Sequence, residues 1–554
     1  MQLAKGYPAA IALLALAACG GGSGGGGDGD GGGGPPPALS VTDTSPAEGA
    51  TGVSRRGNIV LTFSTTLDPQ SLRVNTVSLV GANDDPPFEA TAFAATVVGN
   101  TLTITPDRAL SPALGYRVTL GAELRGAKGE ALGGAVELNF TTADREWQTP
   151  TRIEPVGPTT TERPRVVVDR DGNAIAVWQR RDGATRAIWS NRYVNGTGWG
   201  TAVQISKAES TETNADLPEI DVDASGNATV VWEQSDHGVS RIWSNRYTAG
   251  TGWGSASVIQ SSANTAGEGR APHVAVDASG NALAVWTQLD GGLFEIWSNL
   301  YSGGTWGTPV QVESNPGNAD SARVAFDSST GRAFAVWTQG VATCVCVWSN
   351  QFTLANGWGT PRLIATVAPG AAFLPQVAVD AFGNAYAVWT QSDESERSDI
   401  WSNRFTAGGD WGTAVMIDDN TSGSGPPKVF VDSHANAYAV WEQASPNERG
   451  ATIRWNRYES GNGWGAPGRI ASATDVASGT GGNPDIAIDR DGVAHVVWEH
   501  DDGVQVRVRS SRLLPGTTEW AAAVDAHNTD SAAEPRVAID SAGDVTVVWE
   551  QIDG

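Results

Sequence analysis

The sequence predicts an all-β protein, a small β-sandwich followed by a β-propeller of eight repeats, with seven blades as the alternative count. Three observations predict it. The 554 residues include 68 Gly and 28 Pro but only 2 Met, a balance that favours turns and short strands over helices. Between residues 38 and 143 short apolar runs alternate with turn residues at period two. From Trp147 onward a Trp-bearing unit recurs, and all 22 tryptophans lie in that region.

The chain opens with Lys5, an apolar stretch from Ile11 to Leu16, and then Ala17-Ala18-Cys19. This is the layout of an export signal over residues 1–18, too short to span a bilayer. Leu16-Ala17-Ala18-Cys19 resembles the lipobox of bacterial lipoproteins. That resemblance implies cleavage before Cys19 and acylation of Cys19, so the membrane becomes a partner through the lipid. Gly20 follows, with no Asp there, which in Gram-negative lipoproteins implies delivery to the outer membrane. Two or three acyl chains hold durably where one does not, because each buried methylene contributes about 0.8 kcal/mol. Residues 19–37, mostly Gly and ending in Pro35-Pro36-Pro37, read as a flexible linker.

In residues 38–143 the strand-like runs are Ile59 to Phe63, Thr101 to Ile104, Tyr116 to Leu120 and Val136 to Phe140. Ser45-Pro46-Ala47-Glu48-Gly49-Ala50, Leu61-Thr62-Phe63-Ser64, Thr105-Pro106, Leu114-Gly115-Tyr116 and Phe140-Thr141-Thr142 make the segment similar to the SbsA-type bacterial Ig-like domain. Such domains act as spacers in surface proteins, which implies a structural role.

Residues 147–554 carry the repeat. Its equivalent tryptophans are Trp178, Trp232, Trp286, Trp337, Trp389, Trp441, Trp498 and Trp549, spaced 51 to 57 residues apart. A complete unit offers four strands, in the first case Val166 to Asp169, Ala174 to Trp178, Ala187 to Tyr193 and Trp199 to Ile205, which is the signature of a propeller blade. Consecutive apolar residues, as in Ala174-Ile175-Ala176-Val177-Trp178, suit a sheet covered on both faces. The last unit stops after two strands, while Trp147 to Ile153 matches a fourth strand, so the two ends are expected to share the closing blade.

Two repeated motifs stand out. Asp-x-x-Gly-Asn, at Asp169, Asp223, Asp277 and Asp380, reads as a hairpin turn, with a loose likeness to the Asp-box of sialidase propellers and a weaker calcium reading. Trp-Ser-Asn, often followed by Arg and an aromatic, supplies the candidate ligand-binding set: Trp189, Asn191 and Arg192; Trp243, Asn245 and Arg246; Trp297 and Asn299; Trp348 and Asn350; Trp401, Asn403 and Arg404. A Trp face stacks on a sugar while Asn and Arg bond to hydroxyls; the competing reading is that they fasten the blades. Cys344 and Cys346 lie two apart in a predicted strand, on one face, and read as two small core thiols.

The net charge of −25, from 61 acidic and 36 basic side chains, argues against nucleic acid as a partner. The six His are scattered, and neither His-Glu-x-x-His nor Gly-x-Ser-x-Gly occurs, so no catalytic residues, no cofactor and no metal are expected. The function expected is therefore that of a monomeric, lipid-anchored cell-envelope protein, not an enzyme, displaying a multivalent propeller that binds glycans, loosely like propeller lectins. A scaffold for an envelope protein and a glycoside hydrolase are the alternatives.

Overall fold

The computed structural model describes residues 38–552 apart from 74–75, 82–90, 108, 145–146, 158, 208–213, 237, 261–266, 328–329, 343, 366–369, 394–396, 420, 446–449, 471–479 and 527–529. The expected signal, Cys19 and the Gly-rich linker lie outside the described residues. The chain divides into two compact units at Asp144 and Arg145.

In the first unit two four-stranded sheets form a sandwich. One runs Val41–Ser45, Ile59–Phe63, Thr101–Pro106, Phe93–Val98, and the other Ala50–Val53, Val136–Thr142, Gly115–Leu120, Val77–Gly81. Alternation in the sequence becomes alternation of burial: Ile59, Leu61 and Phe63 point inward, as do Tyr116, Val118 and Leu120. The buried Tyr116 hydroxyl accepts the Ser111 N–H at 2.8 Å, so the ring enters the core with its polar end satisfied.

The second unit is a propeller. Among the described residues it holds eight sheets, and each of the first seven has three long strands with short pieces beyond them. The first sheet comprises Thr160–Val168, Ala174–Asp182 and Thr185–Val194. The innermost strands of the others are Ala215–Val222, Gly269–Val276, Ala319–Phe326, Ala372–Val379, Lys428–Val431, Thr480–Ile488 and Ser531–Ile539. Each packs against the next, and Ser531–Ile539 packs against Thr160–Val168, which closes the ring. The middle strands carry consecutive apolar residues: Ala282, Leu283, Ala284, Val285 and Trp286 are all buried, because sheets cover both faces.

A buried indole needs a partner for its N–H, and the residue two further on supplies it. Trp232, Trp286, Trp337, Trp389 and Trp441 donate to the side chains of Gln234, Gln288, Gln339, Gln391 and Gln443. The Asp-x-x-Gly-Asn motif is a turn, as its chemistry suggested. Asp277 Oδ1 accepts the N–H groups of Ser279 and Asn281, Oδ2 accepts the Asn281 amide, and Gly280 takes φ +83°.

The eighth sheet contributes two strands, Ser531–Ile539 and Val545–Ile552, and Trp147 and Ile153 pack in the hydrophobic clusters that hold Val547, Val548 and Trp549. Trp147 donates to Ser510 of the seventh sheet at 2.8 Å, as Trp358 of the fourth sheet donates to Ser298 of the third. The Ile153 carbonyl accepts from Asn191, as that of Ile205 accepts from Asn245.

Two local expectations are corrected. The fourth strand is not continuous: Gly198–Trp199 and Val203–Gln204 pair separately, because the Gly200 carbonyl between them is taken by the Asn191 amide. Cys344 and Cys346 are joined in a disulfide, not two thiols; their shared face and Cα separation of 5.5 Å place both sulfurs within bonding reach.

Candidate functional site

The Trp-Ser-Asn set belongs to the joints between sheets. Its asparagines are buried, and their Nδ2 groups donate backwards to the preceding sheet or segment: Asn191 to Ile153, Asn245 to Ile205, Asn299 to Ile259, Asn350 to Val312 and Asn403 to Ile364, at 2.8 to 3.0 Å. Asn191, Asn299, Asn350 and Asn403 donate a second bond to the carbonyl of the Gly after the outer Trp, and Oδ1 of Asn191, Asn245, Asn350 and Asn403 accepts the following N–H. Amides so engaged have little left for a sugar hydroxyl. Arg192 lies over Tyr247, Arg246 over Tyr301, and Arg404 over Tyr458, each aromatic in the next sheet. Trp243 is buried, while Trp189, Trp297, Trp348 and Trp401 are half-buried and pack on hydrophobic clusters. In the structure these residues fasten adjoining sheets of the ring.

The position that faces a cavity is elsewhere, in a part of the repeat that sequence reasoning passed over. Each innermost strand reads Pro-X-Val or a close variant, and X is Arg165, Glu219, His273, Arg323, Gln376, Lys428, Asp485 and Arg536 in turn. All eight, with Val166, line one cavity of about 160 Å³ at the propeller axis. Each X is half-buried, and the residue before it, Pro in seven sheets and Ala322 in the fourth, is buried.

A β-bulge aims X. In seven of the innermost strands the ladder slips just before X, and the residue two positions ahead of it has left-handed backbone: Arg163, Leu217, Ala271, Ser321, Leu374, Asn483 and Glu534, at φ from 47° to 60°. Non-glycine residues there cost on the order of 1 kcal/mol each, so surrounding contacts must impose the shape. Carboxylates help: Asp216 and Asp320 accept the N–H groups of Leu217 and Ser321, and Glu233 and Glu499 of the preceding sheets accept those of Ala271 and Glu534. Pro then follows at no loss to the ladder, since its missing N–H falls at the bulge.

Four cations and two carboxylates share the cavity. Arg165 and Glu219 form a two-pronged pair, with both N···O distances at 3.0 Å. Burial would raise Glu219, but Arg165 and then His273 outweigh it and hold the carboxyl well below its usual range. Asp485 accepts the Val537 N–H at 3.0 Å. Burial, helped by Arg323, lowers His273 to about 3, so its ring is neutral at pH 7. Burial also lowers Arg323 and Arg536, and pushes Lys428 down to about 8. Among the described residues no cluster of three or more His, Cys, Asp or Glu is arranged to hold a metal ion.

Comparison with known proteins separates the two units. Residues 36–142 match the bacterial Ig-like domain family. No curated protein matches the chain in sequence. Among solved structures, the chain is similar to an ulvan lyase of polysaccharide lyase family PL25 at 10% identity, covering 62% of this chain and 90% of that one, with a TM-score of 0.42. It is similar to the GH93 alpha-L-arabinofuranosidase of Fusarium graminearum at 12% identity, covering 61% and 92%, with a TM-score of 0.36. A protein of unknown function from Dyadobacter fermentans matches at 10% identity over 55% and 96%, with a TM-score of 0.36. At these values the likeness concerns the fold. It nevertheless overturns the expectation that this chain is not an enzyme: structures similar to it include glycan-cleaving enzymes, so the lack of a recognised catalytic motif is no ground for that exclusion.

Proposed function

We propose that this protein is displayed on the cell envelope by a lipid on Cys19 and seats a saccharide at the propeller axis, one per chain. The observation that carries the reading is the contrast within each repeat. Flanking residues are nearly the same in all eight units, but X takes six different side-chain types, all polar, and all line the same cavity. A position that served only to pack or fasten sheets would be alike in each unit, as the joint Asn is. A cavity with a few varied polar groups on a rigid frame is the usual form of a ligand site, and hydroxyl-rich ligands suit guanidinium, amide and carboxylate donors and acceptors together.

Binding stoichiometry is the test. Titration of the whole chain with saccharides that score on a glycan array should saturate at one ligand per propeller and be lost in Gln376→Leu/Arg323→Leu. Saturation near eight per chain would return the site to the joints between sheets and refute the axial seat. The anchor is tested separately: acyl labelling in the native host should vanish in Cys19→Ala, and unlabelled wild-type protein would remove that part of the reading.

A further inference from the structure

The eight axial side chains divide into two arcs of opposite character. In ring order, Asp485, Arg536, Arg165 and Glu219 are two cations flanked by two carboxylates, so that half neutralises itself. His273, Arg323, Gln376 and Lys428 come from the next four sheets and include no carboxylate. Neutral His273 takes the Val324 N–H on Nδ1 at 3.4 Å, which leaves its proton on Nε2 as a donor. Arg323 donates one bond to the Ala322 carbonyl and has further N–H groups to offer. Among the described residues neither Arg323 nor Lys428 forms an ion pair with any acid. Resting on the axial seat proposed above, we infer that this arc binds the oxyanionic group of an acidic saccharide, its carboxylate or sulfate.

Three physical points support the assignment. Desolvated cations are unfavourable, and because Arg323 and Lys428 sense Glu219 and Asp485 without an ion-pair contact, an anion between them relieves both. The planar guanidinium donates to two oxygens side by side, while the ammonium and the Gln376 amide serve the others. The cavity has the volume of about five waters, enough for an acid group and part of one ring, so the rest of a longer glycan would extend along the axis. Overall the chain is strongly acidic, which makes a cationic interior a local arrangement and not a by-product of composition.

Calorimetric titration of the whole chain with D-glucuronate, glucose 6-sulfate and D-glucose separates the possibilities. At least one of the two acids should bind at one per chain, about tenfold or more tighter than glucose, and whichever binds identifies the oxyanion. Arg323→Gln and Lys428→Gln should each remove about tenfold of that affinity, while Arg536→Gln, in the self-neutral arc, should change it by less than about threefold. Unchanged near-ultraviolet circular dichroism shows that the variants remain folded. Glucose binding as tightly as glucuronate and the sulfate, with loss in Gln376→Leu, overturns the anion assignment and leaves the seat. No binding of any of the three overturns both.

Discussion

The outer half of each blade and its innermost strand treat repetition in opposite ways. At the outer joints the same Asn recurs from sheet to sheet and does the same thing each time, donating to the sheet behind it. At the axis the backbone recurs, with its bulge and Pro, but the side chain it delivers changes at almost every step. In a ring of equivalent units, sameness is what closing the ring requires, while a single ligand at the centre meets eight neighbours of six kinds. Repetition therefore marks fold here, and divergence within the repeat marks the site.

That contrast can be broken at several places. The largest effect is expected in the blade core: Trp389→Ala, which empties a fully buried site and strands the Gln391 carbonyl, should cost about 3 to 5 kcal/mol in urea unfolding. Next is the joint. Asn403→Ala removes bonds to the Ile364 and Gly412 carbonyls and should cost about 2 kcal/mol, with no change in ligand stoichiometry; an equal loss of binding would erase the distinction between joint and axis. Glu219→Gln leaves Arg165 without its partner and should destabilise by about 1 to 3 kcal/mol while tightening anion binding, since the ring gains positive charge.

The smallest effects sharpen the comparison through pH. Lys428 has a folded pKa of about 8, below its ordinary value of 10.5, so the unfolded chain holds its proton more tightly. Its penalty is fully present below pH 8 and is relieved between about 8 and 10.5; Lys428→Met should remove that rise in stability. Oxyanion affinity should move the other way and fall as pH passes about 8. At the seam where the eighth sheet meets the first, burial first and then Glu534, Glu162 and Glu499 raise Glu550 to about 7. Its protonated form is favoured by folding, so stability from this group is lost as pH rises from 4.5 through 7. Glu550→Gln should raise the melting temperature at pH 8 and leave it unchanged at pH 4.

Much of the architecture was legible before any coordinates. Alternation at Ile59 to Phe63 and at Tyr116 to Leu120 announced the sandwich because one face of each strand is wet. The spacing from Trp178 to Trp549 announced the propeller because a covered sheet admits apolar residues at every position. The site was harder to see. Trp-Ser-Asn stands out in the sequence because it repeats, and in the structure its Asn serves the joints. The signal that would have found the axis was available in the sequence as the one variable position in Pro-X-Val, but variation between units looks like drift until the units are arranged in a circle.

Local chemistry decided the turns, the strands and the unit length, since hydrogen bonds in Asp277 to Asn281 and the period of apolar residues act over a few positions. What only the tertiary structure decided is which residues meet. Arg165 and Arg536 lie on neighbouring innermost strands although the chain separates them by nearly the whole ring, and His273, Arg323, Gln376 and Lys428 become one arc only because four sheets turn about a common axis. The reason is geometric. A strand's own sequence sets which way its side chains point, but ring closure, driven by burying each sheet on the next, sets what they point at.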